Sequence, residues 1–309
     1  MKIFTKKIDK FIIITNKIAK VLFDGRFNEV FYNTELVKVR TGSNKSKPIE
    51  VAVSIDYQGL KKQGLEIPES ERLTPYDREI HNAVVSLYEA GNEYATPNMI
   101  QKILSGNKEY GDGTRKSLTQ TNRQSILSSL SKMKETMIEI DANEEGRAYK
   151  KAEYKYLGKL LPMYFVQAVT LNNNTVKDCI HILRTPPLLE YSKLRRQLTS
   201  VDIELLAVLS NREPHVLIRD YLLGEIQWMK YSSRRRNIIL YKTIEEYLGT
   251  QLQGDADSVN HKRKRLRDNV VKCLKYWVSK KYIKGYTEDK DRNTITKVLI
   301  LLQNTKRKE

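Results

Sequence analysis

The densest chemistry in the chain lies between Ser258 and Tyr286, which read SVNHKRKRLRDNVVKCLKYWVSKKYIKGY. Between Ser258 and Gly285 ten Lys or Arg stand against a single acid, Asp268. Lysine offers a point charge for phosphate. Arginine offers a planar fork that fits phosphate or the O6 and N7 edge of guanine, and the carboxamide of Asn269 matches N6 and N7 of adenine. A merely solvated helix face mixes signs to gain i,i+4 pairs, and this one hardly does. Arg265 and Asn269 are therefore the expected base readers. Lys262, Lys264, Arg267 and Lys272 are the expected phosphate contacts, and Lys262 and Arg263 lie at the helix entrance near phosphate.

Helical phase is what would position them. At about 100° per residue, Leu266, Val270, Cys273, Leu274 and Trp277 share one sector about 100° wide, which is the buried one. Lys264, Arg265, Asp268, Lys272 and Lys275 fall opposite, with Asn269 and Tyr276 on the flank. Three smaller groups repeat this chemistry in weaker form. Thr121, Arg123, Gln124 and Ser128 lie on the outer side of another helix expected over Thr119 to Met137, whose core side is Ile126, Leu127, Leu130 and Met133. Arg234, Arg235 and Arg236 sit in the break YSSRRRN, readable as a solvated loop or a phosphate clamp. Lys290 and Arg292 stand at the tip of a final hairpin. Trp228 and Trp277 fall on apolar stripes, which predicts core positions for both.

Catalytic patterns are missing. Gly106 and Gly111 have the spacing of a phosphate-binding loop, but Asp112 stands where the lysine is required and Gly113 where Ser or Thr is required. The four histidines, His81, His181, His215 and His261, are scattered singly. No Ser/His/Asp order, HExxH or acidic metal cluster stands out. Cys179 and Cys273 are far apart, and Cys179 with His181 has no second ligand pair nearby. The expectation is a binding protein and not an enzyme, with no metal and no cofactor.

Composition agrees with a polyanionic partner. The 309 residues suffice for two ordinary domains, and 40% hydrophobic with 30% charged residues describe a folded chain. The net charge of +18, with a pI near 9.6, makes nucleic acid the first candidate partner and an anionic membrane the second. Phe11 to Thr15, the longest apolar candidate, falls far short of the roughly 18 residues of a spanning helix. The start MKIFTKKIDKFIIIT is too short in its apolar part for a signal peptide. No membrane association and a cytoplasmic place on nucleoid or plasmid DNA are expected.

The fold expected is α+β and helix-dominated. Residues 1–71 read as a β-containing N-terminal extension, with strand-like FIIIT, EVFYNTELVKV and IEVAVSIDY. Residues 72–185 read as a first winged-helix domain: a helix from Thr74, capped by Thr74 with Pro75 and Asp77 in its first turn, then TPNMIQKIL, then Thr119 to Met137, then the hairpin YFVQAVTLNNNTVKDCIHIL. Residues 186–212 read as a linker and docking segment, opened by a Pro pair that blocks helix. Residues 213–309 repeat the order: a helix over Pro214 to Lys230, a short helix around IILYKTIEEYLG, the basic helix, and two strands joined by the turn EDKDRN. In such a domain the third helix enters the major groove and the hairpin forms the wing.

The stretches LTPYDREIHNAVVSLYEAGNEYATPNMI, CIHILRTPPLLEY and RDNVVKCLKYWVSKKYIKGY resemble replication-initiator proteins of plasmids and mobile elements in Gram-positive bacteria. The architecture is similar to that of tandem winged-helix plasmid initiators. That resemblance implies sequence-specific binding of double-stranded origin repeats, a homodimeric form joined through the first domain, and recruitment of a host replication initiator, helicase or loader. The same residues also fit a transcriptional regulator or partition accessory protein of a mobile element and, less well, a nicking enzyme.

Overall fold

The computed structural model describes residues 6, 8–23, 36–41, 49–57, 71–106, 118–149, 155–169, 176–210, 213–232, 236–248, 255–291 and 294–303. It is a mixed α+β fold with several small sheets, and the chain divides into two compact units, Met1–Ser200 and Val201–Glu309.

The first unit is organised around α2 (Pro75–Glu89), which follows β1 (Lys10–Ile14), α1 (Lys17–Phe23), β2 (Val37–Arg40) and β3 (Glu50–Tyr57). The start of α2 is fixed locally. Asp77 N–H donates to Thr74 Oγ1 at 3.3 Å, Thr74 N–H donates to Asp77 Oδ2 at 2.7 Å, and Pro75 supplies the preset φ of the first turn. Gly91, at φ +83°, takes the left-handed conformation just beyond its end. Ile80, Val84 and Leu87 are buried as their spacing predicts, whereas Tyr76, on the same stripe, is half-buried.

The polar side of α2 is buried as well, which spacing alone did not suggest. Arg78 donates to Ile14 C=O at 2.9 Å, Asn82 Oδ1 accepts from Ile14 N–H at 3.5 Å, and Ser86 Oγ accepts from Ile12 N–H at 2.8 Å. These three residues, four apart, form one stripe that satisfies the backbone of β1.

After α2 come β4 (Tyr94–Ala95), α3 (Pro97–Leu104), α4 (Gln120–Glu135), β5 (Thr136–Asp141), α5 (Asn143–Tyr149), β6 (Lys155–Lys159), β7 (Met163–Val169) and β8 (Val176–Ile182). Strands β7 and β8 form the expected antiparallel hairpin. Tyr94 of β4 pairs with His181, which gives a sheet of order β4-β8-β7. Strands β2, β3, β5 and β6 build a second sheet, in the order β2-β3-β5-β6, with Val53 opposite Ile140 and Ile138 opposite Gly158. Of the N-terminal strands, β3 pairs with β5 and β2 with β3, so these two share a sheet with later elements of the first unit, where the sequence suggested a separate extension. On α4, Leu127 is half-exposed and Ser129 is buried instead, donating to Asp77.

Other departures have local causes. The pair Pro186-Pro187 starts α6 (Pro187–Leu194), because a proline at N1 forgoes an N–H that the first turn does not use. β9 (Leu198–Asp202) leads on to a 3-10 turn over Ile203–Leu206, so the second unit begins before 213.

The second unit then contains α7 (Glu213–Tyr231), β10 (Ile238–Leu240), α8 (Tyr241–Leu248), α9 (Ala256–Ser279), β11 (Gly285–Asp291) and β12 (Thr294–Leu301). Ile238–Leu240, expected within a helix, is a strand paired with β12, Ile239 opposite Val298. Glu288 to Asp291, expected in the turn, are paired in β11, with an irregularity between Asp289 and Lys290. Sheet order is β10-β12-β11. Both units therefore run helix, short strand, helix, helix, strand, strand, with the last strand central in the sheet. The first unit inserts β5, α5 and β6 before its hairpin.

Candidate nucleic-acid interface

Helix α9 is held by its inner face and one end. Asp255 caps it, its side chain accepting from Ser258 N–H at 2.8 Å. Leu266, Val270, Cys273, Leu274 and Trp277 are all buried, as the wheel predicts. Two polar anchors join the apolar ones: Trp277 Nε1 donates to Leu205 C=O at 3.1 Å, and Tyr276 Oη donates to Glu204 C=O at 2.7 Å. Burial raises the Cys273 thiol to about 12, and it raises Cys179 too, so neither sulfur is a ready thiolate.

The outward face carries Lys264, Arg265, Lys272 and Lys275, all exposed, while Lys262 and Asn269 are half-buried. The other two arginines turn sideways onto carboxylates. Arg263 forks onto Glu245 of α8, with Nε and Nη2 each 3.1 Å from a carboxylate oxygen. Arg267 forks onto Glu288 of β11, with both contacts at 3.0 Å. Tyr241 Oη donates to the same Glu288 at 2.9 Å. Hydrogen bonding to Glu288 holds the Arg267 pKa above the usual guanidinium value. Burial, then Glu288, pushes the Tyr241 phenol up.

These bidentate pairs tie α9 to the helix before it and to the hairpin after it. Glu245, Glu288 and Tyr241 were not singled out from the sequence. Their one signal there is that they are acids and a phenol flanking a nearly acid-free run.

The first unit has a counterpart. On α4, capped by Thr119, the residues Thr121, Gln124 and Ser128 are exposed. Arg123 is half-exposed and ion-paired with Asp178 of β8. In both units an arginine of the third helix is fastened to a carboxylate of the hairpin. Arg236 is exposed before β10. Arg234, Arg235 and Arg292 lie outside the described residues, as does the side chain of Lys290.

Trp277 is fully buried, but Trp228, expected in the core, is 53% exposed near the end of α7. Among the described residues no group of three or more His, Cys, Asp or Glu could hold a metal ion, and no helix is long and apolar enough to cross a membrane. Set against family models, curated proteins and solved structures, the chain matches none.

Proposed function

We propose that the chain is a double-stranded DNA-binding replication initiator of a plasmid or mobile element, built on two winged-helix domains and acting without chemistry of its own. The observation that carries this reading is α9. A row of exposed cations, Lys264, Arg265, Lys272 and Lys275, lies opposite a fully buried stripe, on the helix that precedes a two-stranded hairpin. That is the place of the groove-reading helix in a winged helix.

Arg265 reads a base edge, with Asn269 at its flank, and Lys264 and Lys272 take phosphates. Arg263 and Arg267 hold the helix to α8 and to the wing. In the first unit, Thr121, Gln124 and Ser128 supply the outer surface and Arg123 the wing clamp. Binding to origin repeats, dimerisation and recruitment of host replication proteins follow from the resemblance of the sequence to initiators.

The test joins two measurements. A plasmid carrying only this gene and its upstream region replicates autonomously, and the protein prefers a duplex from that region over random duplex. Arg265→Ala costs about 1 to 3 kcal/mol of discrimination at one base pair. Equal affinity for both duplexes overturns the specificity. Binding without replication leaves a regulator in place of an initiator.

A further inference from the structure

We infer that the solvent side of the sheet β10-β12-β11 is a protein-docking face, suited to an acidic amphipathic helix of another protein. Register fixes which side chains share that side. Leu301 of β12 lies opposite Gly285 of β11, Leu299 lies between Ile238 of β10 and Thr287, and Lys297 lies between Leu240 and Asp289. Alternation turns the residues between them the other way. Ile239, Val298 and Ile300 are buried, and Glu288 meets Arg267 of α9 and Tyr241 of α8, so the helices of the unit lie on that inner side.

The outer side is apolar where a solvated sheet face carries polar residues. Leu240 and Leu301 are each 47% exposed, and Ile238 and Leu299, in the row between them, are half-exposed. Neighbouring strands about 4.8 Å apart make these four side chains one patch, two strands wide. Gly285 adds no side chain of its own to it. A β-carbon there would stand 3.4 Å from Leu301 Cδ1, so Leu301 leans over the glycine.

A helix is what layered folds place on an apolar sheet face, and charge selects its kind. A second copy of this chain would bring its own +18 against the first, whereas carboxylates beside an apolar stripe would meet cations here. Lys284 is exposed and donates its N–H to Leu301 C=O at 2.7 Å, which places it at one end of the patch. Lys297 stands beside Leu240 at the other, ion-paired at 2.9 Å with Asp289, the one carboxylate on this side among the described residues. Beyond Gln303 the sequence adds Lys306, Arg307 and Lys308. Nucleic acid would answer the cations and leave the four aliphatic side chains without a partner.

The probe is a labelled synthetic peptide of about 18 residues, with Leu along one side of its helix and Glu along the other. Anisotropy should show saturable binding, and peptides with Lys in place of Glu, or Ser in place of Leu, should bind roughly 10-fold or more weakly. The double variant Leu240→Ser, Leu301→Ser should lose affinity for the acidic peptide by a similar factor. Its urea unfolding should stay cooperative with an unchanged midpoint, and its binding to duplex DNA should be unaltered. Arg265→Ala should leave the peptide affinity as it was, so failure of DNA reading by α9 and failure of the docking face are seen separately. No binding of the acidic peptide overturns the face. Equal binding by the double variant, with displacement by duplex, assigns the peptide to the cations of α9 and also overturns it. A dimer in sedimentation that the double variant breaks gives the face to a second copy and overturns the acidic partner.

Discussion

Arg267 on α9 lays its guanidinium along the Glu288 carboxylate on β11, with two contacts of 3.0 Å, so the basic helix and the hairpin beside it are joined by one fork. The arginine is partly exposed and the pair is open to solvent on one side, so its contribution to stability is small, up to about 1 kcal/mol. Its larger effect is on where a cation points. Glu288→Gln removes the carboxylate charge and releases Arg267 toward solvent. Affinity for random duplex should then rise and the log–log salt slope should steepen by about 1, while preference for the specific site falls. Fluorescence anisotropy against salt measures both. A weaker and less salt-dependent variant would show that the fork serves some other purpose.

The polar stripe of α2 predicts a cost out of proportion to the size of the change. Ser86 Oγ accepts from Ile12 N–H at 2.8 Å in the first unit, and its own side chain is buried. Ser86→Ala leaves that amide without its acceptor and should cost about 1 to 3 kcal/mol in urea unfolding. The exposed Ser131→Ala on α4 should change stability by no more than about 0.5 kcal/mol. Equal small effects would mean that the stripe does not support β1.

His81 predicts a pH dependence. It is fully buried beside Phe23, and burial lowers its pKa from 6.5 to about 4. The folded state therefore holds the neutral imidazole, while the unfolded chain takes up a proton below 6.5. Stability falls as pH drops from 6.5 toward 4, by about 2 to 3 kcal/mol at pH 4.5 from this group. His81→Phe should lose that component, so its urea midpoint should fall less than that of the unaltered protein between pH 7 and 4.5. Parallel curves for the two proteins would assign the acid sensitivity elsewhere.

What could be read from the sequence follows the range of the interactions involved. The phase of α9 is a local property, because buried Leu266, Val270, Cys273, Leu274 and Trp277 recur at helical spacing and fix the outer face by exclusion. The cap at Thr74 is equally local, since both of its partners lie within three residues. The fates of Arg263 and Arg267 are not, because their carboxylates lie 18 and 21 residues away on other elements. Neither was the burial of Arg78, Asn82 and Ser86, which requires β1 at their side, more than 60 residues earlier. Ile238–Leu240 could serve helix or strand by its own pattern, and pairing with β12 decided it. Trp228 lies at helical spacing from buried residues, yet it is 53% exposed, because spacing along one helix does not say how far the neighbouring elements reach over its end.

The remaining prediction separates the exposed cations of α9 by role. Lys264, Lys272 and Lys275 offer point charges on flexible stems, which suit phosphate and carry no base preference, whereas Arg265 offers a fork that can match two acceptors on one base. Each Lys→Ala should weaken specific and random duplexes alike and lower the salt slope by about 1. Arg265→Ala should instead compress the ratio between the two duplexes and relax preference at one base pair, with a smaller change in binding to random DNA. Competition binding across a library of single-base variants at two salt concentrations resolves the two behaviours. If the lysine variants alter base preference and Arg265→Ala does not, the groove-facing side of α9 is turned from the assigned one, and Lys264 and Lys272 become the residues nearest the bases.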